Sequence, residues 1–413
     1  MAIAHSRICL IDCCVVVLFA SAAPQRFVDT SDGPTSNGVS PGHQTSKDSP
    51  RKSEDETCAP CHQKEALTFA QTEHHRTSSF PSQESIRGSF AGGSNELKIA
   101  DPAPVIGDPG LTYKMTRSDS SFLVSAITGF TGQTQTRTEA VGLVIGSGVR
   151  GQSYLYWKGD SLFELPVSYW SDGNRWINSP GFRNGPPNFD RPASPRCLEC
   201  HMTFMQTISN DPASNRYEKS KSIPGISCET CHGPGAAHIA AHHAHTPSTN
   251  ESIVNPAKLS RDRQVDLCSL CHSGVRQPSG AGFAYVPGNP LDTYLGPSPH
   301  TSPGPPDVHG NQVGLLRLSR CYLASTSMTC STCHQVHRPE EPASSYSSRC
   351  MSCHKSDSCG MFKKLGRKIE SNCIDCHMPM QLTQAIISET DDTVIRTTMR
   401  THRIAVYSPA NIQ

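Results

Sequence analysis

The chain has 413 residues, enough for two or three ordinary domains, but only 35% are apolar, and 32 prolines and 31 glycines favour loops over long regular elements. The formal charge is +1, and no basic patch is interleaved with aromatics, which argues against a nucleic-acid partner. The unusual part of the composition is nineteen cysteines and nineteen histidines, and their positions organise the rest.

Residues 1–23 read MAIAHSRICLIDCCVVVLFASAA. Arg7 is a weak positive start, Cys13–Ala20 is a short apolar run, and Ala20-Ser21-Ala22 is a small-residue cleavage pattern, as in a secretion signal. The run is too short to span a bilayer, so the mature chain is expected not to be integral to a membrane. Residues 24–56 are rich in Ser, Thr, Asp, Gly and Pro and read as a disordered linker.

The folded part opens on Cys58-Ala59-Pro60-Cys61-His62, the first of seven Cys-x-x-Cys-His pentapeptides. The others are Cys197/Cys200/His201, Cys228/Cys231/His232, Cys268/Cys271/His272, Cys330/Cys333/His334, Cys350/Cys353/His354 and Cys373/Cys376/His377. Chance predicts on the order of 0.04 copies in a chain of this composition. Zinc knuckles or a disulfide framework would not require a His directly after every pair. The pentapeptide is the attachment signal of a c-type haem: two thiols bond to the porphyrin vinyl groups and the following His ligates the iron. Seven covalent haems follow, with His62, His201, His232, His272, His334, His354 and His377 as proximal ligands. Their fourteen propionates would take the +1 chain to about −13 with all irons reduced, and near −6 oxidised.

Residues 57–93 make a first haem segment. His74 and His75 follow its motif in a helix-compatible stretch, and one of them is expected to reach an iron, with nothing to choose between them. Residues 94–182 carry no motif. They alternate over Leu111–Thr116, Phe122–Ile127, Ala140–Ile145, Ser153–Lys158 and Ser161–Tyr169 with Gly-rich turns between, which predicts a small antiparallel meander whose aromatics form core and haem-facing packing.

Residues 183–413 hold the other six motifs. Gly233-Pro234-Gly235 breaks the chain after His232, and an Ala/His run follows in which His238 is the favoured iron ligand. His337, three residues beyond His334, is too close to reach the far side of the same haem and would have to serve a neighbour. His309 and His402 flank the three-motif stretch Cys330–His377 as further donors, and the two cysteines left over, Cys321 and Cys359, suggest a disulfide.

The motifs CETCHGPGAAH, IVNPAKL, LLRLSRCYLAS, CSTCHQVH and CIDCHMP, with IGSGVRGQSYLYWKGDSLFELPVSYW upstream, resemble the cytochrome c-552/4-like multihaem cytochromes c. The resemblance covers most of residues 57–405. It implies electron transfer in the periplasm or at the cell surface through packed, mostly bis-histidine haems, and it suggests His238, His309, His337 and His402, with His74 or His75, as distal ligands. The expected architecture is a mainly α and irregular fold organised around seven haems, with the small β insert at about 94–182. The expected function is an exported relay with redox-protein partners, either other cytochromes or a membrane quinone-linked complex. The alternative is an oxidoreductase, for instance of nitrogen or sulfur oxyanions, with one open-site haem. No altered haem motif marks such a site.

Overall fold

A computed structural model of the chain describes residues 53–99, 108, 110–130, 132–244, 252–274, 276–297, 311–389 and 394–407. The secretion-signal and most of the linker expectations, and His309, lie outside the described residues.

The largest element is a sheet of eight antiparallel strands: β1 (Ser78–Ser79), β2 (Glu96–Ile99), β3 (Leu111–Ser118), β4 (Ser121–Thr128), β5 (Gln135–Ile145), β6 (Gly151–Lys158), β7 (Ser161–Trp170) and β8 (Arg175–Asn178). Strands β2 to β8 follow one another in space as they do in sequence, and β1 pairs with the end of β5, Ser78 opposite Ile145. The two end strands, β2 and β8, approach each other, so the sheet curls into a nearly closed barrel.

The residues account for the curl. Strands β3 and β4 bury alternate side chains, Leu111, Tyr113 and Met115 on one and Phe122, Val124 and Ala126 on the other. These meet an aromatic cluster inside: Phe90 packs edge-on against Phe122 at 5.1 Å and Trp176 at 5.4 Å, with Tyr154 5.5 Å from Trp176. Rings of that size need a curved sheet to enclose them. Along β6 three consecutive residues, Tyr154, Leu155 and Tyr156, are buried, which means both faces are covered there. The outer cover consists of Leu143, Leu155 and Leu162 packed on Leu198, Met202, Met205 and Tyr217. Met202 and Met205 belong to β9 (Met202–Thr207), which pairs with β10 (Tyr217–Pro224). The barrel is therefore the wall on which the Cys197–His201 motif rests.

The expectation of a mainly α and irregular fold with only a small β insert is corrected by this barrel. The five alternating runs do become β3 to β7, but β2 and β8 extend them, and two further hairpins follow: β9–β10, and β11 (Met380–Glu389) with β12 (Val394–Arg400). The helices are short, the longest described being Arg261–His272 at 12 residues. The physical reason is that a Cys-x-x-Cys-His pentapeptide needs only one helical turn, as in Cys228–His232 and Cys373–His377. Many motifs do not imply much helix.

Candidate functional site

Beside the barrel the short helices and loops surround a single cavity of about 3600 Å³, several times the roughly 300–1,000 Å³ of an ordinary ligand pocket. Residues of all seven pentapeptides line it, including all seven of their histidines. Thiols of different motifs come within hydrogen-bonding reach of one another: Cys58 and Cys228, Cys200 and Cys271, Cys268 and Cys330, Cys350 and Cys373. Cys231 also lies near Cys268 and Cys333 near Cys353, so the pentapeptide thiols form one contiguous group. Cys321 and Cys359 are free thiols not bonded to each other, and Cys321 lies near Cys333 and Cys350.

Three of the pentapeptide histidines are clamped in the same way, at the carbonyl and at Nδ1, by a chain segment passing behind them. His232 Nδ1 donates to the Val254 carbonyl at 2.9 Å while Val254 N donates to the His232 carbonyl at 2.9 Å. His377 Nδ1 donates to the Ala405 carbonyl at 2.8 Å, and Ala405 N returns the bond at 3.1 Å. At His201 two side chains do the work: Thr77 Oγ1 lies 2.8 Å from Nδ1 and Ser78 Oγ donates to the carbonyl at 2.6 Å. A carbonyl partner fixes the proton on Nδ1, so Nε2 of His232 and His377 keeps its lone pair for a metal.

Four of these histidines face a second histidine ring drawn from elsewhere in the chain. His62 faces His238 with ring centres 6.5 Å apart and planes 25° from parallel. His232 faces His337 at 6.1 Å and 15°, and His334 faces His402 at 6.0 Å and 22°. His74 meets His272 at 6.0 Å with the planes near perpendicular, 83°. Desolvation inside the cavity lowers His272 and His402 to about 4, and by the same cause His74, His238 and His337 fall below the ordinary imidazole value. All are then neutral near pH 7, the ligand form. His334 alone is raised, by its contact with Glu340.

His75 is placed differently from His74. It does not line the cavity, and its Nε2 lies 3.4 Å from the Asp55 carboxylate. Although burial would raise Asp55, the His75 contact and the Cys228 amide, which donates to it at 2.9 Å, hold it down at about 2. Asp55 therefore ties the first motif to the third. His402 is delivered by the tail beyond β12. Ser319 Oγ donates to the His402 carbonyl at 3.1 Å and accepts from Ile404 N at 2.8 Å, and Arg400 donates to the Ile374 and Met378 carbonyls while pairing with Asp375. Asp55, Thr77, Val254, Ser319 and Ala405 carry no signal in the sequence, because each acts through position alone.

The donor set fits c-type haem. Thiols come in pairs on single turns, each followed by an imidazole at the cavity wall. The family model described as "Cytochrome c554 and c-prime" matches residues 183–233, which hold the second and third motifs. The protein is a multihaem c-type cytochrome. It is also similar to the C-type polyheme cytochrome OmcC of Geobacter sulfurreducens, 27% identical over 101 residues, which is 24% of this chain and 12% of that one. No solved structure matches. Among the described residues of the cytochrome no helix is long and apolar enough to cross a membrane.

Proposed function

We propose that the cytochrome is an exported heptahaem electron relay in which at least four irons are held by two histidines each. The observation that carries this is the spacing of the facing rings. Two metal–imidazole bonds of about 2.0 Å each, with about 1.2 Å from each nitrogen to its ring centre, put the centres about 6.4 Å apart. The four pairs stand at 6.0–6.5 Å. On this reading His238 completes the site of His62, His337 that of His232, His74 that of His272 and His402 that of His334. In every case the second ligand comes from outside the pentapeptide it serves. His309 remains the expected donor for one of the other three sites.

When bound, each haem supplies a one-electron Fe(III)/Fe(II) couple. The chain's own residues fix the rings, keep them neutral and enclose the sites, as the Nδ1 clamps and the desolvated cavity require. Thiol contacts support an order for the relay: first motif to third through Cys58 and Cys228, third to fourth through Cys231 near Cys268, fourth to fifth through Cys268 and Cys330. The fifth reaches the sixth through Cys333 near Cys353, and the sixth the seventh through Cys350 and Cys373. The second motif branches from the fourth at Cys200 and Cys271. A contiguous chain of sites, the first, third, fourth and fifth of them with two histidines each, suits relay to other redox proteins outside the cytoplasm.

The test is a haemochrome assay for stoichiometry with EPR of the ferric protein. Seven haems and at least four low-spin centres are expected. Fewer than six haems, or a majority of high-spin irons, would overturn the reading.

A further inference from the structure

The relay order ends at the sixth and seventh motifs, and the surface there has an unusual charge. Residues 355–368, KSDSCGMFKKLGRK, begin directly after His354 and carry Lys355, Lys363, Lys364, Arg367 and Lys368 against the single acid Asp357. All five cations are exposed. Arg367 pairs with Glu370 at 3.3 Å, but among the described residues no carboxylate forms a salt bridge with any of the four lysines. The segment is not a loose loop. Its 3₁₀ turn Ser356–Ser358, the helix Phe362–Leu365 and the 3₁₀ turn Gly366–Ser371 pack on one another, and the last packs on Tyr346–Met351, the helix that carries Cys350.

The cations divide by direction. Lys355 and Lys368 line the cavity, whereas Lys363, Lys364 and Arg367 do not line it and face outward. Met361 and Leu365, each 42% exposed, border the cavity beside them. A cytochrome whose cofactors make it strongly negative overall thus keeps a compact cationic face, with an apolar rim, against the end of its relay. Unpaired exposed charges of one sign add little to stability, whereas they steer a partner of opposite sign.

We propose that this face is where the cytochrome docks a soluble one-electron carrier through that carrier's acidic patch. The proposal rests on the relay reading above. Such an encounter belongs among small, transient interfaces, below about 1,200 Å², in which charge sets the on-rate and a few apolar contacts set the orientation.

The experiment compares two double charge reversals in the haem-loaded protein, K363E/K364E and K98E/K158E. The second places the same change of charge on exposed barrel positions. Haem content and the dithionite-reduced spectrum serve as controls. The readout is the second-order rate of reduction by a reduced plant-type [2Fe–2S] ferredoxin, an acidic protein, at low and high salt. The expected result is a rate about tenfold lower in K363E/K364E at low salt, closing at high salt, and within twofold of wild type in K98E/K158E. Equal slowing of both variants, or no slowing of K363E/K364E, overturns the docking surface and leaves the relay intact. So does an unchanged rate with loss of flotation on phosphatidylserine vesicles, which would make the face a membrane contact instead. A loaded wild type that dithionite cannot reduce overturns the relay, and the docking surface with it.

Discussion

Adjacent histidines make the sharpest test of the site, because His74→Ala and His75→Ala remove the same atoms one residue apart. His74 lines the cavity and faces His272, the histidine of the fourth motif, at 6.0 Å. His75 turns to Asp55 with side chains 37% and 22% exposed. His74→Ala should convert one iron from six- to five-coordinate, so about one seventh of the haem goes from low-spin to high-spin and the rest stays as in the wild type. Added imidazole should reverse the change. His75→Ala should leave the spin state of every iron as in the wild type and cost at most about 1 kcal/mol, because a pair this exposed is screened. The assay is EPR of the ferric protein with haemochrome quantification, and a denaturant melt for stability. High-spin iron in His75→Ala and none in His74→Ala would refute the placement of these two side chains and the ring-spacing argument with it.

Further outcomes follow from the same geometry. His402→Met should keep its haem six-coordinate and raise that haem's potential, seen as one component moving up in a spectroelectrochemical titration. Gly225→Ala should destabilise the fold by about 3 kcal/mol in a thermal melt: φ is +70°, and an added Cβ would sit 2.1 Å from the His75 carbonyl oxygen. Phe90→Ala should cost about 3–5 kcal/mol by emptying the centre of the aromatic cluster, read as a shifted denaturant midpoint with haem content retained. Asp55 has a folded pKa near 2, below its ordinary 3.8, so its contribution is complete above about pH 4 and is lost as the pH falls through 2. Asp55→Asn should therefore flatten the acid limb of the stability curve.

What the sequence made legible was chemistry with a fixed local spacing. Cys-x-x-Cys-His depends on five consecutive residues, so every such pentapeptide could be read without a fold. The period-two alternation of β3 to β7 was equally local. The barrel's closure was not, because β2 and β8 are four-residue strands whose pairing is decided by the aromatic rings they enclose. That His337 would stand beside a motif other than its own was legible, by a steric argument that holds for any chain, and its ring faces His232. That His74 and not His75 would line the cavity was not legible, since His75 is held by Asp55, whose carboxylate has no pattern to announce it. Nor were the clamps at Thr77, Val254 and Ala405, two of which use only backbone atoms and are compatible with almost any side chain.

The facing pairs also explain how so short-helixed a chain becomes one compact unit over residues 50–413. On the relay reading, with a haem bonded to one segment and ligated by another, each pair would close a loop: 62 to 238, 74 to 272, 232 to 337 and 334 to 402. In the chain-entropy treatment of cross-links, loops of about 70 to 200 residues each remove roughly 4–5 kcal/mol of unfolded-state freedom. The loops overlap, since 232 and 238 lie inside the 74–272 loop and 334 lies inside 232–337. No stretch between His62 and His402 can therefore leave without opening at least one of them. On that reading the interlock would depend on coordination bonds that acid can break while the thioethers remain. Acid unfolding of the loaded protein should consequently begin with loss of low-spin iron and proceed to loss of the barrel's near-ultraviolet aromatic signal. An aromatic signal lost first would mean that the barrel, and not the ligand pairs, holds the chain together.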